Sequence, residues 1–172
     1  MGNTKTWGSA ALDGILLSLI TIIFSLLSSI LEPKGILAFL IWLIKFGACI
    51  AVLYYFMKRY ANQMTHISYK EAFMYGFWVC TFSSIICAAF NLISITFIFP
   101  EQASTLSETL QSAMAAQQLS GDEENTIMKI MDNFPSYMFV FSLLYYIILG
   151  IIYSSIIANF TKRTDPYNTP IS

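Results

Sequence analysis

The chain has 172 residues, of which 56% are hydrophobic, 16% aromatic and only 11% charged, less than half the roughly one-quarter charged share of soluble domains. Its mean hydropathy of +0.64 sets aside a soluble globular fold, and its net charge of −1 offers nucleic acid no broad basic surface.

Four apolar runs organise the sequence, at about 9–31, 35–57, 72–98 and 137–160. Each exceeds the roughly 20 residues that an α-helix needs to cross about 30 Å of hydrocarbon. Backbone groups in lipid must be satisfied within the chain, and the short alternating segments of a β-barrel are missing. The expected fold is all-α: an integral membrane bundle of four transmembrane helices, up-down-up-down, in one domain over 1–172. An outer (periplasmic) helical hairpin at 101–134 is expected between helices 3 and 4.

The first span follows a single basic residue, Lys5, and no A-x-A site comes after it, so it reads as a retained helix rather than a signal peptide. The start "MGNTKT" fits a short acylation pattern, read here as coincidence because four helices already anchor the chain. Gly14, Ser18, Thr21, Ser25 and Ser28 recur at helical spacing. Asp13 is the one carboxylate well inside a span.

The second span contains "AFLIWLIKFGACIAVLYYF", residues 38–56, in which Lys45 is the single polar position. It lies about 15 Å from the outer start of its helix, near mid-membrane. A central lysine costs roughly 2.5–3.5 kcal/mol on insertion scales, so it should turn inward and find compensation. Ala38, Ala48 and Cys49 leave it room. Asp13 is the expected partner, with Ser18, Thr21 and Asn91 as further hydrogen-bonding candidates.

The connection at 58–71 carries Lys58, Arg59 and Lys70 and the lone histidine, His66, read as a solvated loop residue. Ser68 and Glu71 stand at capping-box spacing before the third span. Gly76, Cys80, Ser83, Cys87, Asn91 and Ser94 form its small-residue stripe, and Gly150, Ser154 and Ala158 form that of the fourth. Small residues let helix backbones approach closely in lipid, so Gly14, Gly76, Gly150, Ser154 and Ala158 are expected at helix contacts. Cys80 and Cys87 are two turns apart, too far to bridge, and the cysteines read as packing residues. Trp7, Tyr75, Tyr137 and Tyr153 fall where interfacial aromatic belts belong.

After Pro100, Thr105 and Glu108 also have capping-box spacing and Gly121 is a plausible stop, with a second short helix expected from Asp122. Leu110 and Met114 on the first of these helices, and Ile127, Met128 and Met131 on the second, form an apolar seam. That seam is either buried within the hairpin or offered as an outer docking face. Lys and Arg favour the side holding Lys5, Lys58, Arg59, Lys70, Lys162 and Arg163. Both termini are therefore expected in the cytoplasm.

The segment "ISYKEAFMYGFWVC" at 67–80, the "FPEQ" at 99–102, the four spans and the basic tail resemble one family of small bacterial inner-membrane proteins. It is catalogued as domain of unknown function 4199 and is typical of Bacteroidota. The resemblance implies a four-span topology and an inner-membrane location, and it brings no activity with it.

No paired carboxylates share a span and no nucleophile–base pair, metal-ligand cluster or cofactor motif appears, so the chain is expected not to be an enzyme and to use neither metal nor cofactor. The leading expectation is a non-catalytic module acting by association with itself, a membrane partner or lipid. The alternative is a subunit of an oligomeric small-solute or ion transporter or channel that uses Lys45 and Asp13, since charges inside the membrane are commonly functional.

Overall fold

A computed structural model of the chain describes residues 3–31, 33, 35–101, 104, 105, 108, 109, 112 and 133–161. The outer-face residues Leu110, Met114, Ile127, Met128 and Met131 lie outside them, as do Lys162 and Arg163. Four long helices dominate: α1 (Asn3–Leu31), α2 (Ile36–Asn62), α3 (Tyr69–Ile93) and α4 (Phe134–Thr161). Among the described residues all regular structure is helical, and all four helices are long and apolar enough to span a membrane.

The helices outrun the apolar windows that mark them. α1 begins at Asn3 rather than near residue 9, α2 continues to Asn62 rather than 57, and α3 begins at Tyr69 rather than 72. A hydropathy window detects only the lipid-matched part of a helix, whereas backbone hydrogen bonding carries the helix on through polar turns. Gly35, at φ 58°, makes the reversal before α2 in a left-handed conformation that a residue with Cβ adopts only under strain. At the start of α3 the Ser68 amide donates to Glu71 Oε2 at 2.9 Å and the Glu71 amide donates to Ser68 Oγ at 3.3 Å. This is the reciprocal bonding of a capping box.

Two features depart from expectation. Ser94–Ile98 is a π-helical turn closed by the Phe99 amide on the Ser94 carbonyl at 2.8 Å. Helical residues then resume at Pro100, whose fixed φ suits a first helical turn. Thr105 is consequently inside a helix and not its cap: its hydroxyl donates to the Glu101 carbonyl at 2.8 Å.

The chain groups into two compact units, Met1–Cys87 with Tyr145–Ser172, and Ala88–Leu144. In the second, Asn91 Nδ2 donates to Ser142 Oγ at 3.3 Å. The core of the first unit draws Ala10 and Leu17 from α1, Leu53, Phe56, Met57 and Ala61 from α2, Ala72, Tyr75, Val79 and Cys80 from α3, and Ile157 and Ala158 from α4. Close helix approach makes that core possible. A Cβ on Gly14 would stand 2.8 Å from the Val79 carbonyl oxygen, and one on Gly150 would stand 2.5 Å from Cys80 Cβ. Gly76, Ser154 and Ala158 are buried in the same unit.

The helices differ in how much of themselves they bury. Only 6% of the α2 spanning window is buried, against 22% for each of the other three. The buried residues of α2 are Leu53, Phe56, Met57 and Ala61, all in its second half. Its first half, with Phe39, Trp42, Leu43 and Ile44 exposed, contributes none.

Candidate functional site: an intramembrane cavity around Lys45

Two charged side chains are set into the first unit, and their surroundings are opposite. Asp13 is 1% exposed. Its Oδ1 accepts from Arg59 Nη2 at 2.5 Å, and its Oδ2 accepts from the Tyr75 hydroxyl at 2.6 Å. The Tyr75 hydroxyl lies 3.1 Å from Ser9 Oγ, and its ring stacks on Tyr60 at 3.9 Å between centroids with the planes 2° apart. The carboxylate is thus held by a charge-assisted bond and a phenol, the pairing that a buried charge requires. The guanidinium side of this latch is 43% exposed, so Arg59 ties a buried acid to the end of the bundle where α1 begins and α2 ends.

Lys45 has no such partner. It is half-buried at the tenth residue of α2, and among the described residues no hydrogen bond or ion pair reaches its ammonium group. It lines a half-open cavity of about 300 Å³ whose walls come from all four helices. Leu17 and Thr21 contribute from α1; Trp42, Lys45, Phe46, Cys49 and Leu53 from α2; Cys80, Ser83, Ser84 and Cys87 from α3; and Tyr145, Tyr146, Leu149, Gly150 and Tyr153 from α4. The serine and threonine hydroxyls of the wall are already engaged. Thr21 donates to the Leu17 carbonyl at 3.2 Å and lies 3.6 Å from Cys49 Sγ, Ser84 donates to the Cys80 carbonyl at 2.7 Å, and Ser83 Oγ is 4.0 Å from Cys87 Sγ.

The expected tie between Lys45 and Asp13 is therefore not made. The carboxylate is already saturated by Arg59 and Tyr75. Of the other candidates, Thr21 shares the cavity with Lys45, whereas Ser18 donates to its own helix, to the Ile15 carbonyl at 2.7 Å. Asn91 bonds Ser142 in the second unit. Tyr75 also departs from its expected place in an interfacial belt: it is 2% exposed and belongs to the core. Trp7, at 42% exposure, packs against Trp78 with ring centroids 4.1 Å apart and the planes tilted by 40°.

Arg59 and Tyr75 are the residues that sequence reasoning missed as a pair. Depth was the available signal. Asp13 lies about four residues inside its span, and Arg59 lies two residues past the end of an antiparallel neighbour. A long guanidinium stem readily closes that gap, whereas Lys45 is several ångströms deeper.

The family model described as "Protein of unknown function (DUF4199)" matches residues 8–163. The chain belongs to that family. The DUF4199 match takes in all of the cavity wall and both ends of the Asp13–Arg59 latch. No curated protein and no solved structure gives a significant match.

Proposed function

We propose that this multi-pass membrane protein is a non-catalytic module of the bacterial inner membrane that works by binding, with the cavity around Lys45 as its binding site. The carrying observation is that Lys45, with no hydrogen bond or ion pair among the described residues, lines a half-open cavity within a candidate membrane span. An uncompensated intramembrane cation is costly, and such residues commonly mark sites of function. Half-open intramembrane cavities between helices suit a ligand drawn from the bilayer, which makes membrane lipid the leading partner. The Lys and Arg bias supports cytoplasmic termini, so Ala115→Cys should react with an impermeant thiol reagent in intact cells.

The transporter reading loses ground because Asp13, one of its two residues, is committed to Arg59 and Tyr75. Mass spectrometry of the intact protein, extracted in mild detergent, tests the binding reading. The wild type should carry a bound small molecule or lipid. Ser84→Phe, which fills the cavity from a wall position that is 3% exposed, should lose it while keeping its unfolding midpoint within a few degrees. Identical adducts on the two proteins would overturn the reading.

A further inference from the structure

We infer that the cavity takes the head of an anionic, single-tailed amphiphile, a carboxylate or phosphate monoester, that enters sideways from the bilayer and pairs with Lys45. The inference rests on the binding reading above and adds the ligand's charge, its tail and its route.

Charge comes first. Lys45 offers three donors, and among the described residues none of them meets an acceptor. Asp13, the carboxylate expected to neutralise it, is held elsewhere at 2.5 and 2.6 Å. The cavity wall contains no Asp, Glu, Arg or second Lys. A guest that completes the site must therefore bring the negative charge itself. A neutral guest leaves the lysine uncompensated, and a cationic one adds repulsion in a medium where charges are poorly screened.

The tail follows from the walls and the route from α2. Apart from Lys45, the phenol groups of Tyr145, Tyr146 and Tyr153, and the serine and threonine hydroxyls already bonded, the lining is aromatic, aliphatic or thiol. A small hydrated anion would surrender its water for one ammonium group and at most a few phenol donors, whereas an apolar tail gains contact along the rest of a mostly apolar wall. The first half of α2 buries no residue, and Trp42 and Tyr145, at 50% and 48% exposure, are both wall residues and open to the surroundings. The mouth is thus framed by lipid-facing aromatics, so a tail reaches the cavity without leaving hydrocarbon. The volume of about 300 Å³ sits at the small end of ligand sites, enough for a head group and the first part of one chain but not for a two-tailed lipid.

Trp42 provides the readout. In a Trp7→Phe/Trp78→Phe background, with both replaced positions outside the cavity wall, Trp42 is the only tryptophan. The protein in nanodiscs of neutral phospholipid is titrated with a brominated fatty acid, a brominated alkyl phosphate, the matching brominated alcohol and the matching brominated amine. Acetate and inorganic phosphate then serve as competitors. The acid and the phosphate ester should quench saturably and at least about tenfold more tightly than the alcohol, the scale of one charge-assisted hydrogen bond. Lys45→Met should erase that preference while quenching by the alcohol remains saturable, and the tailless anions should not compete.

Equal saturable affinity for acid, alcohol and amine, blocked by Ser84→Phe, would overturn the charge assignment while leaving the binding site standing. Competition by free phosphate or acetate at similar concentration would overturn the tail. Quenching that never saturates for any probe would defeat both this inference and the binding reading.

Discussion

Asp13 and Lys45 are each a single charge placed inside a span, yet the fold treats them differently. Asp13 on α1 is closed on by α2 and α3, its oxygens shared between Arg59 and Tyr75, with Tyr60 stacked beneath the phenol. Lys45 sits on the loosely packed half of α2, beside empty volume, with no partner among the described residues. Satisfied buried charge is fold, because removing either partner strands the other. Unsatisfied charge beside a cavity serves stability poorly and is available to a ligand. The contrast separates a structural latch from the proposed binding site within one helical unit.

The largest effect should come from cutting the latch. Arg59→Met leaves Asp13 buried with the Tyr75 hydroxyl alone, and should cost about 3 kcal/mol, the low end for an orphaned buried charge because Arg59 is 43% exposed. Reversible unfolding in mixed micelles measures it, and a loss below about 1 kcal/mol would show the latch to be ornamental. Tyr75→Phe removes one of the carboxylate's two bonds and should cost about 1–2 kcal/mol by the same assay.

Packing sharpens the comparison at an intermediate scale. Gly14→Ala drives a Cβ to 2.8 Å from the Val79 carbonyl, a backbone atom that cannot step aside cheaply, and should destabilise by about 1–3 kcal/mol. Gly47→Ala lies two residues from Lys45, with nothing within 4 Å of the new Cβ. It should be neutral or stabilising by up to about 1 kcal/mol, since alanine is the better helix former. Equal losses at the two glycines would contradict the difference in packing between the α1–α3 contact and the Lys45 region of α2.

The smallest stability effect belongs to the residue that sequence alone makes most conspicuous. Lys45→Met should change unfolding by less than about 1 kcal/mol or stabilise the protein, because it removes an uncompensated charge from hydrocarbon.

What was legible in the sequence followed from physics that acts along a chain. The four spans came from hydrocarbon thickness, and the start of α3 came from the Ser68–Glu71 spacing realised in the structure. Small residues at 14, 76, 150, 154 and 158 fell where helices touch. The rest depends on relations between helices. Arg59 reads as a loop cation until α1 and α2 are set antiparallel with Asp13 at its depth, and Tyr75 reads as an interfacial ring until Asp13 claims its hydroxyl. The Lys45 cavity exists because the first half of α2 is left unburied, which no periodicity in a uniformly apolar helix records. The π-turn at Ser94–Ile98 has no signal in the preceding residues beyond the Pro100 that follows it.

Ligand-induced stabilisation tests the division of labour most directly. The unfolding midpoints of wild type, Tyr75→Phe and Lys45→Met are compared with and without the single-tailed carboxylate, against the matching alcohol as reference. Binding to the folded state alone adds about 2.7 kcal/mol at a hundredfold excess over Kd. The wild type and Tyr75→Phe should therefore gain the same carboxylate-specific stabilisation, from different starting points, while Lys45→Met gains none. Equal carboxylate-specific stabilisation of Lys45→Met and wild type would contradict the assignment of Lys45 to a ligand.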